Sequence, residues 1–254
     1  MAYKFAVNFI NKGYVTLFVE VQKILQEIVK KFSKELSLSA IIQFGSSTYS
    51  KKFNDIDLLF IFDAKVIPTD QFLNLFKLIK KLENSHKDLV IDLSGSGRKR
   101  RAKYKLTIVP VSGFELNVKH NPHDLFFFKN IKEDKNILIL YGKNPFQKFN
   151  YSLTNGHLFE MLSVDLNRAL RQNLDGFNSN SLHFLFKTFV RAMLVNKGTF
   201  MKDELLVKFK ENYNGVIDLP KNSELIIANK IKKEDFVHIL QFCESCLKYL
   251  VKSN

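Results

Sequence analysis

The chain has 254 residues, 46% of them apolar and 25% charged, which bounds it to one large globular unit or two smaller ones with room for a sizeable core. The net charge is +14, from 39 basic and 25 acidic residues, and this favours anionic partners: nucleotides, nucleic acid or acidic surfaces. The longest apolar runs, 58–62 and 137–141, fall far short of the ~20 residues of a membrane-spanning helix, so no membrane partner is expected. The first residues, Met-Ala-Tyr-Lys-Phe, lack the basic, apolar and small-residue regions of a secretory leader. The two cysteines, Cys243 and Cys246, are too few for a disulfide framework. Together these features predict a cytoplasmic protein.

In chain order, Leu17, Val21, Ile24, Leu25, Ile28 and Phe32 have the spacing of an amphipathic helix over 15–36. Residues 40–44 form a short apolar run closed by Gly45-Ser46, and 55–62 form a second; both read as strands. Thr69-Asp70 predict the cap of a helix reaching about residue 82, with Phe72, Leu75, Leu78 and Ile79 on one side. Segments 89–93, 106–111 and 114–118 read as strands, with Ser112-Gly113 as a turn between the last two. A helix over 124–132 and a strand over 137–141 follow. Past Pro145 the texture changes. Segments 158–174, 181–196, 202–211 and 233–251 all show helical periodicity, punctuated by Gly176, Gly198, Gly215 and Pro220. The predicted class is α+β: a mixed-sheet domain over 1–148, then an all-helical domain over 149–254.

The stretch GSSTYSKKFNDIDLLF, starting at Gly45, carries the chemistry. Residues i and i+2 of a strand share a face, ~6–7 Å apart. Asp55 and Asp57 therefore present two carboxylates side by side, while Ile56 points into the core. Two like charges on one face of a core strand are costly unless a cation pairs them. Oxygen ligands at that spacing suit Mg²⁺, which takes one or two carboxylates and completes its shell with water and substrate phosphates. Gly45 and Ser46 supply the complement: a glycine turn lets backbone N–H groups approach phosphate oxygens, and the hydroxyl adds a donor.

Gly45-Ser46, eight intervening residues, then Asp55-Ile56-Asp57 followed by Leu-Leu-Phe resembles the motif of the DNA polymerase β-like nucleotidyltransferase superfamily. That superfamily includes poly(A) polymerases, CCA-adding enzymes, minimal nucleotidyltransferases and aminoglycoside adenylyltransferases. The resemblance implies transfer of a nucleoside monophosphate from an NTP, ATP by default, to an acceptor hydroxyl. It also implies two Mg²⁺ ions held by Asp55 and Asp57. The family adds a third carboxylate from a neighbouring strand. VPVSGFELNV, 109–118, is similar to the poly(A) polymerase and CCA-adding hairpin, but the position of their acid holds Asn117, an amide that supplies neither charge nor base. Glu115, two residues earlier, is similar in context to the catalytic Glu of aminoglycoside adenylyltransferases and becomes the expected base. Asp92, on the strand after the helix, is the competitor, matching the minimal enzymes; a site with no third acid, and so weakened or lost activity, is the remaining alternative. FLFKTFVRAMLVNKGTFMKDELL, 184–206, resembles their second helical segment, in which Arg191 and Lys202 would touch the triphosphate.

RKRRAKYK, 98–105, packs six positive charges into eight residues. Arg98, Arg100, Arg101 and Lys103 are expected to grip the backbone of a nucleic-acid acceptor, so the predicted acceptor is RNA, of tRNA-like kind. A small molecule of aminoglycoside type, a protein acceptor, or a non-catalytic binding subunit that kept the fold are the alternatives. Cys243 and Cys246 with His238, and the pair His120 and His123, read as structural rather than as metal ligands. The Phe-rich run 124–128 reads as core.

Overall fold

The computed structural model describes residues 12–48, 55–93, 102–113, 121–133, 137–148, 152–174, 176–198, 200 and 203–253. Among them the chain divides into two compact units. The first draws on 1–117 and 136–147, the second on 118–135 and 148–254.

The first unit is a five-stranded mixed sheet: β1 (Leu38–Phe44), β2 (Ile56–Phe62), β3 (Leu89–Leu93), β4 (Tyr104–Ser112) and β5 (Leu138–Gly142), with α1 (Lys12–Glu35) and α2 (Thr69–Ser85). The spatial order is β3-β4-β2-β1-β5. β1 runs antiparallel to both β2 and β5, whereas β2, β4 and β3 are mutually parallel. One sheet face carries Ile56, Leu58, Phe60 and Phe62 of β2 with Leu106 and Ile108 of β4, and packs against Ile28 and Phe32 of α1 and Leu75, Ile79 and Leu82 of α2. Phe32 meets Phe60 edge to face, ring centres 5.6 Å apart. This is the i, i+3/i+4 stripe of each helix laid on alternate residues of each strand. The opposite face carries the other parity: Ala40, Ile42, Leu59, Ile61 and Val111, all buried, and toward one end of the strands the residues of the site.

The second unit is helical: α3 (Pro122–Glu133), α4 (Asn155–Gln172), α5 (Ser179–Leu194), α6 (Leu205–Tyr213), α7 (Ser223–Ile227) and α8 (Asp235–Lys252). α5 is its centre, packed against α4, α6, α7 and α8. Phe186, Phe209, Tyr213, Phe242 and Tyr249 form a continuous aromatic core with ring centres 4.9–5.5 Å apart. α4 starts at a reciprocal cap: Thr154 Oγ1 accepts from the His157 N–H, and His157 Nδ1 accepts from the Thr154 N–H. Cys243 and Cys246 are fully buried, and burial pushes both thiols upward in pKa. His238 stands on the exposed side of α8. The cysteines are core residues, as their spacing on an apolar helix suggested.

The observed class is α+β with a mixed sheet. The strand expected at 114–118 lies outside the described residues. α2 starts behind Pro68, which makes no side-chain cap, rather than behind Thr69. α3, placed by the sequence reading ahead of a boundary at 148, groups in space with the helices that follow. Its Leu125, Phe128 and Ile131 are buried, and it packs against α4.

Candidate active site

β1 ends at Phe44, and the chain turns at once through Gly45, whose φ is +77°. The turn is tied on itself. The Thr48 N–H and hydroxyl both donate to the Gly45 carbonyl, at 3.2 and 2.8 Å. Gln43 Nε2 donates to the Ser47 carbonyl and hydroxyl, at 3.4 and 3.1 Å. β2 then brings Asp57 opposite Phe44. The result is close approach: a Cβ on residue 45 would stand 2.7 Å from Asp57 Oδ2. Glycine is required here twice, for the left-handed backbone and for the space the carboxylate fills. The two halves of the motif, glycine turn and acidic pair, thus meet at one end of the β1–β2 hairpin.

Asp55 and Asp57 lie beside β4. Asp57 is in register with Thr107, and Thr107 with Asp92 on β3, so the three share one face across three parallel strands. At ~4.8 Å per strand, Asp92 is two strands, about 10 Å of backbone, from Asp57. Asp55 Oδ2 accepts a long bond from Thr107 Oγ1 at 3.5 Å, and Lys105 Nζ stands 3.9 Å from the same oxygen. Asp92 is 7% exposed, and its Oδ1 has no hydrogen-bond partner among the described residues. Such a buried oxygen is costly and calls for a cation or donor. No three His, Cys, Asp or Glu side chains of the described residues converge as a metal cage. The pair Asp55 and Asp57 remains, with Gly45 against one carboxylate and an orphaned carboxylate oxygen further along the row. That donor set fits a hard cation that keeps water and phosphate in its shell, and does not fit a closed protein cage.

The remaining predicted residues divide. Glu115 and Asn117, the loop arginines Arg98, Arg100 and Arg101, Lys202 and His120 lie outside the described residues. Lys103 is turned to α1: its Nζ is 3.1 Å from Glu20 Oε2 and 5.0 Å from the centre of the Tyr104 ring, and the Tyr104 hydroxyl donates to that same Glu20 oxygen. Arg191 sits half-buried in the last turn of α5 in the helical unit. His123 Nε2 lies 3.2 Å from Asp165 Oδ1, a buried carboxylate also reached by Arg168, so His123 is engaged in a hydrogen-bonded cluster rather than a metal ligand set. Of the Phe-rich run, Phe128 is core and Phe126 and Phe127 are half-buried. Lys105 and Thr107 were missed as site residues. Their signal was alternation: Tyr104, Leu106 and Ile108 are buried in the core while Lys105, Thr107 and Val109 take the other face, so β4 begins inside the basic run.

No family model matches the sequence, and no curated protein matches it. Among solved structures, the fold is similar to that of a spectinomycin adenyltransferase from Enterococcus faecialis, solved with ATP and spectinomycin. The match has a TM-score of 0.54 and 15% identity, and covers 92% of this chain and 99% of the other. At that identity the likeness is one of fold. It agrees with the superfamily that the Gly-Ser and Asp-x-Asp motif resembles: this chain has a nucleotidyltransferase fold, a mixed sheet followed by helices.

Proposed function

We propose that the chain is a Mg²⁺-dependent nucleotidyltransferase that moves a nucleoside monophosphate from an NTP to an acceptor hydroxyl, with RNA as the acceptor. The observation that carries the transfer is the packing of Gly45 directly against the Asp57 carboxylate, with Asp55 the residue just before the same strand. A phosphate held over the 45–46 turn is then in reach of any cation held by the pair. The donor in the structurally similar adenyltransferase is ATP, and ATP is the first NTP to test here.

In this reading the Gly45 and Ser46 N–H groups and the Ser46 hydroxyl hold phosphate oxygens, and Arg191 and Lys202 serve the far phosphates. Asp55 and Asp57 would hold Mg²⁺, which would supply positive charge beside the transferring group. Glu115 takes the acceptor proton, with Asp92 as the alternative; the acceptor oxygen bonds to the α-phosphorus as the bond to pyrophosphate breaks. Most of the acceleration comes from positioning these groups. The catalytic part is then the sheet unit, 1–117 with 136–147, and the helical part the unit that α3 joins, rather than the expected split at 148, in a cytoplasmic enzyme.

The +14 charge supports an RNA acceptor, gripped by Arg98, Arg100 and Arg101 with Lys103 at the edge. A second reading, a small hydroxyl-bearing acceptor, is supported by the similar adenyltransferase, whose structure holds spectinomycin and whose length this chain nearly spans. One experiment separates them: each α-labelled NTP with Mg²⁺ and, in turn, total RNA, total protein and aminocyclitols. Label on RNA supports the first reading and label on the aminocyclitol the second. Label on protein refutes both acceptors, and no label in any fraction refutes transfer.

A further inference from the structure

Lys105 is absent from the motif, yet the sheet sets it beside Asp55. β2 and β4 are parallel neighbours with Ile56 opposite Leu106, and one step back along both chains that pairing puts Lys105 opposite Asp55. β4 is also paired to β3, so the backbone under Lys105 is held from both sides. Two β4 side chains reach for the same carboxylate oxygen, and neither closes on it: Lys105 Nζ stands 3.9 Å from Asp55 Oδ2, and Thr107 Oγ1 stands 3.5 Å from it. The lysines that pair along one helix behave differently. Lys31 with Glu27, Lys208 with Glu211 and Lys248 with Glu244 close to 2.6–2.7 Å. The Lys105 and Asp55 side chains are partly covered, at 39% and 30% exposure, so solvent screens their charges only in part.

Asp55 is thus claimed twice, by a divalent ion in the transfer reading and by an ammonium in the fold itself. An ammonium beside a carboxylate repels a divalent ion brought to the same oxygens. A triphosphate changes the balance. It keeps net negative charge after a divalent ion has bound it, and its oxygens suit a lysine, a point charge on a flexible stem. Building on the nucleotidyl-transfer reading, we propose that Lys105 is a nucleotide-phosphate-binding residue that the fold stores on Asp55: its ammonium passes from the carboxylate to an NTP phosphate oxygen when metal and nucleotide enter together. The exchange makes the two binding events interdependent. A divalent ion alone has to displace the ammonium without giving it a new partner, whereas the metal–nucleotide complex brings that partner with it. Such a site disfavours free divalent ions and takes them with the nucleotide.

The test compares two affinities, read by calorimetry and by paramagnetic resonance of Mn²⁺, with no acceptor present: that for Mn²⁺ alone, and that for the Mn²⁺ complex of a non-transferable α,β-methylene ATP. Lys105→Met keeps an apolar stem and removes the charge. It should bind Mn²⁺ alone about 3–10-fold more tightly than wild type, and the Mn²⁺–nucleotide complex about 3–10-fold more weakly. Lys105→Arg keeps the charge and should stay within about twofold of wild type in both. A purely structural role would move both affinities the same way. Two affinities that move together in Lys105→Met, either one unchanged, or a Lys105→Arg that follows Lys105→Met, overturns the proposal while leaving nucleotidyl transfer standing. If wild type and both variants all fail to bind the Mn²⁺–nucleotide complex, the transfer reading itself fails, and this inference with it.

Discussion

Gly45→Ala adds one methyl group at a residue whose φ is +77° and places it 2.7 Å from Asp57 Oδ2. Two costs follow, and they separate. The left-handed backbone costs a non-glycine residue about 1–2 kcal/mol. The clash is relieved by moving the carboxylate, which is the far end of a side chain, by about 0.7 Å, from 2.7 Å out to the 3.4 Å at which ordinary contact begins. A displacement near 1 Å at a reacting centre can cost ~10²-fold in rate. Gly215→Ala is the control, since Gly215 has φ +71° and nothing within 4 Å of the added methyl. Urea unfolding should show the two variants losing similar stability, about 1–2 kcal/mol each. Nucleotide-dependent Mn²⁺ binding and turnover should fall ~10–10²-fold in Gly45→Ala alone. Unchanged binding and turnover in Gly45→Ala, or an equal loss in Gly215→Ala, would refute the link between turn and carboxylate.

Asp55→Ala with Asp57→Ala should abolish labelling of any acceptor while leaving the circular dichroism intact and stability unchanged or slightly higher, because a like-charge repulsion is removed; turnover in the folded double mutant would exclude this site. Glu115→Gln should lower kcat ~10²–10⁴-fold, the usual worth of a general base, and Asp92→Asn less than tenfold; the reverse order assigns the base to β3. Tyr213 donates to the Met193 carbonyl at 2.7 Å, and burial pushes its hydroxyl up to about 12. Its neutral form is favoured in the fold, so its contribution is complete below pH ~10 and is lost as pH rises toward 12. Tyr213→Phe should flatten that part of the stability profile and cost about 1 kcal/mol at neutral pH, where the carbonyl loses its donor. Cys243 and Cys246 should resist a thiol reagent in native protein at neutral pH and react together on unfolding, followed by absorbance of the released thiolate.

Local periodicity carried the fold a long way. β3 occupies 89–93 as read, and α1, α2, α4, α5 and α8 fall within a few residues of their apolar stripes. What local pattern could not carry was pairing. Nothing in 56–62 or 104–112 announces that these strands lie parallel and side by side, and the row Asp57, Thr107, Asp92 exists only through that pairing. α7, five residues long, is too short to show a period, and Asn222 and Asp235 support it through a side-chain bond that sequence spacing does not reveal. The basic run hid a strand start for a related reason. The apolar pattern began the strand at 106, whereas 104 and 105 are already strand, and the run's two described lysines go to different partners, Glu20 and Asp55. The acidic pair and the glycine turn were legible because they are close in sequence.

The chain leaves the sheet after β4, contributes α3 to the helical unit, returns as β5 and leaves again. The two units are therefore sewn together by three passages of backbone, and no single cut frees either. A fragment ending at 148 would carry α3 with Leu125, Phe128 and Ile131 stripped of α4, an apolar helix with nothing to lie on. A fragment starting at 149 would lack that helix altogether. β5 pairs with β1, nearly a hundred residues earlier in the chain, only after α3 has been made, so a ribosome releases the sheet's last strand between two installments of the other unit. Duplication, swapping or deletion of the helical part by recombination at one point is closed to such a gene.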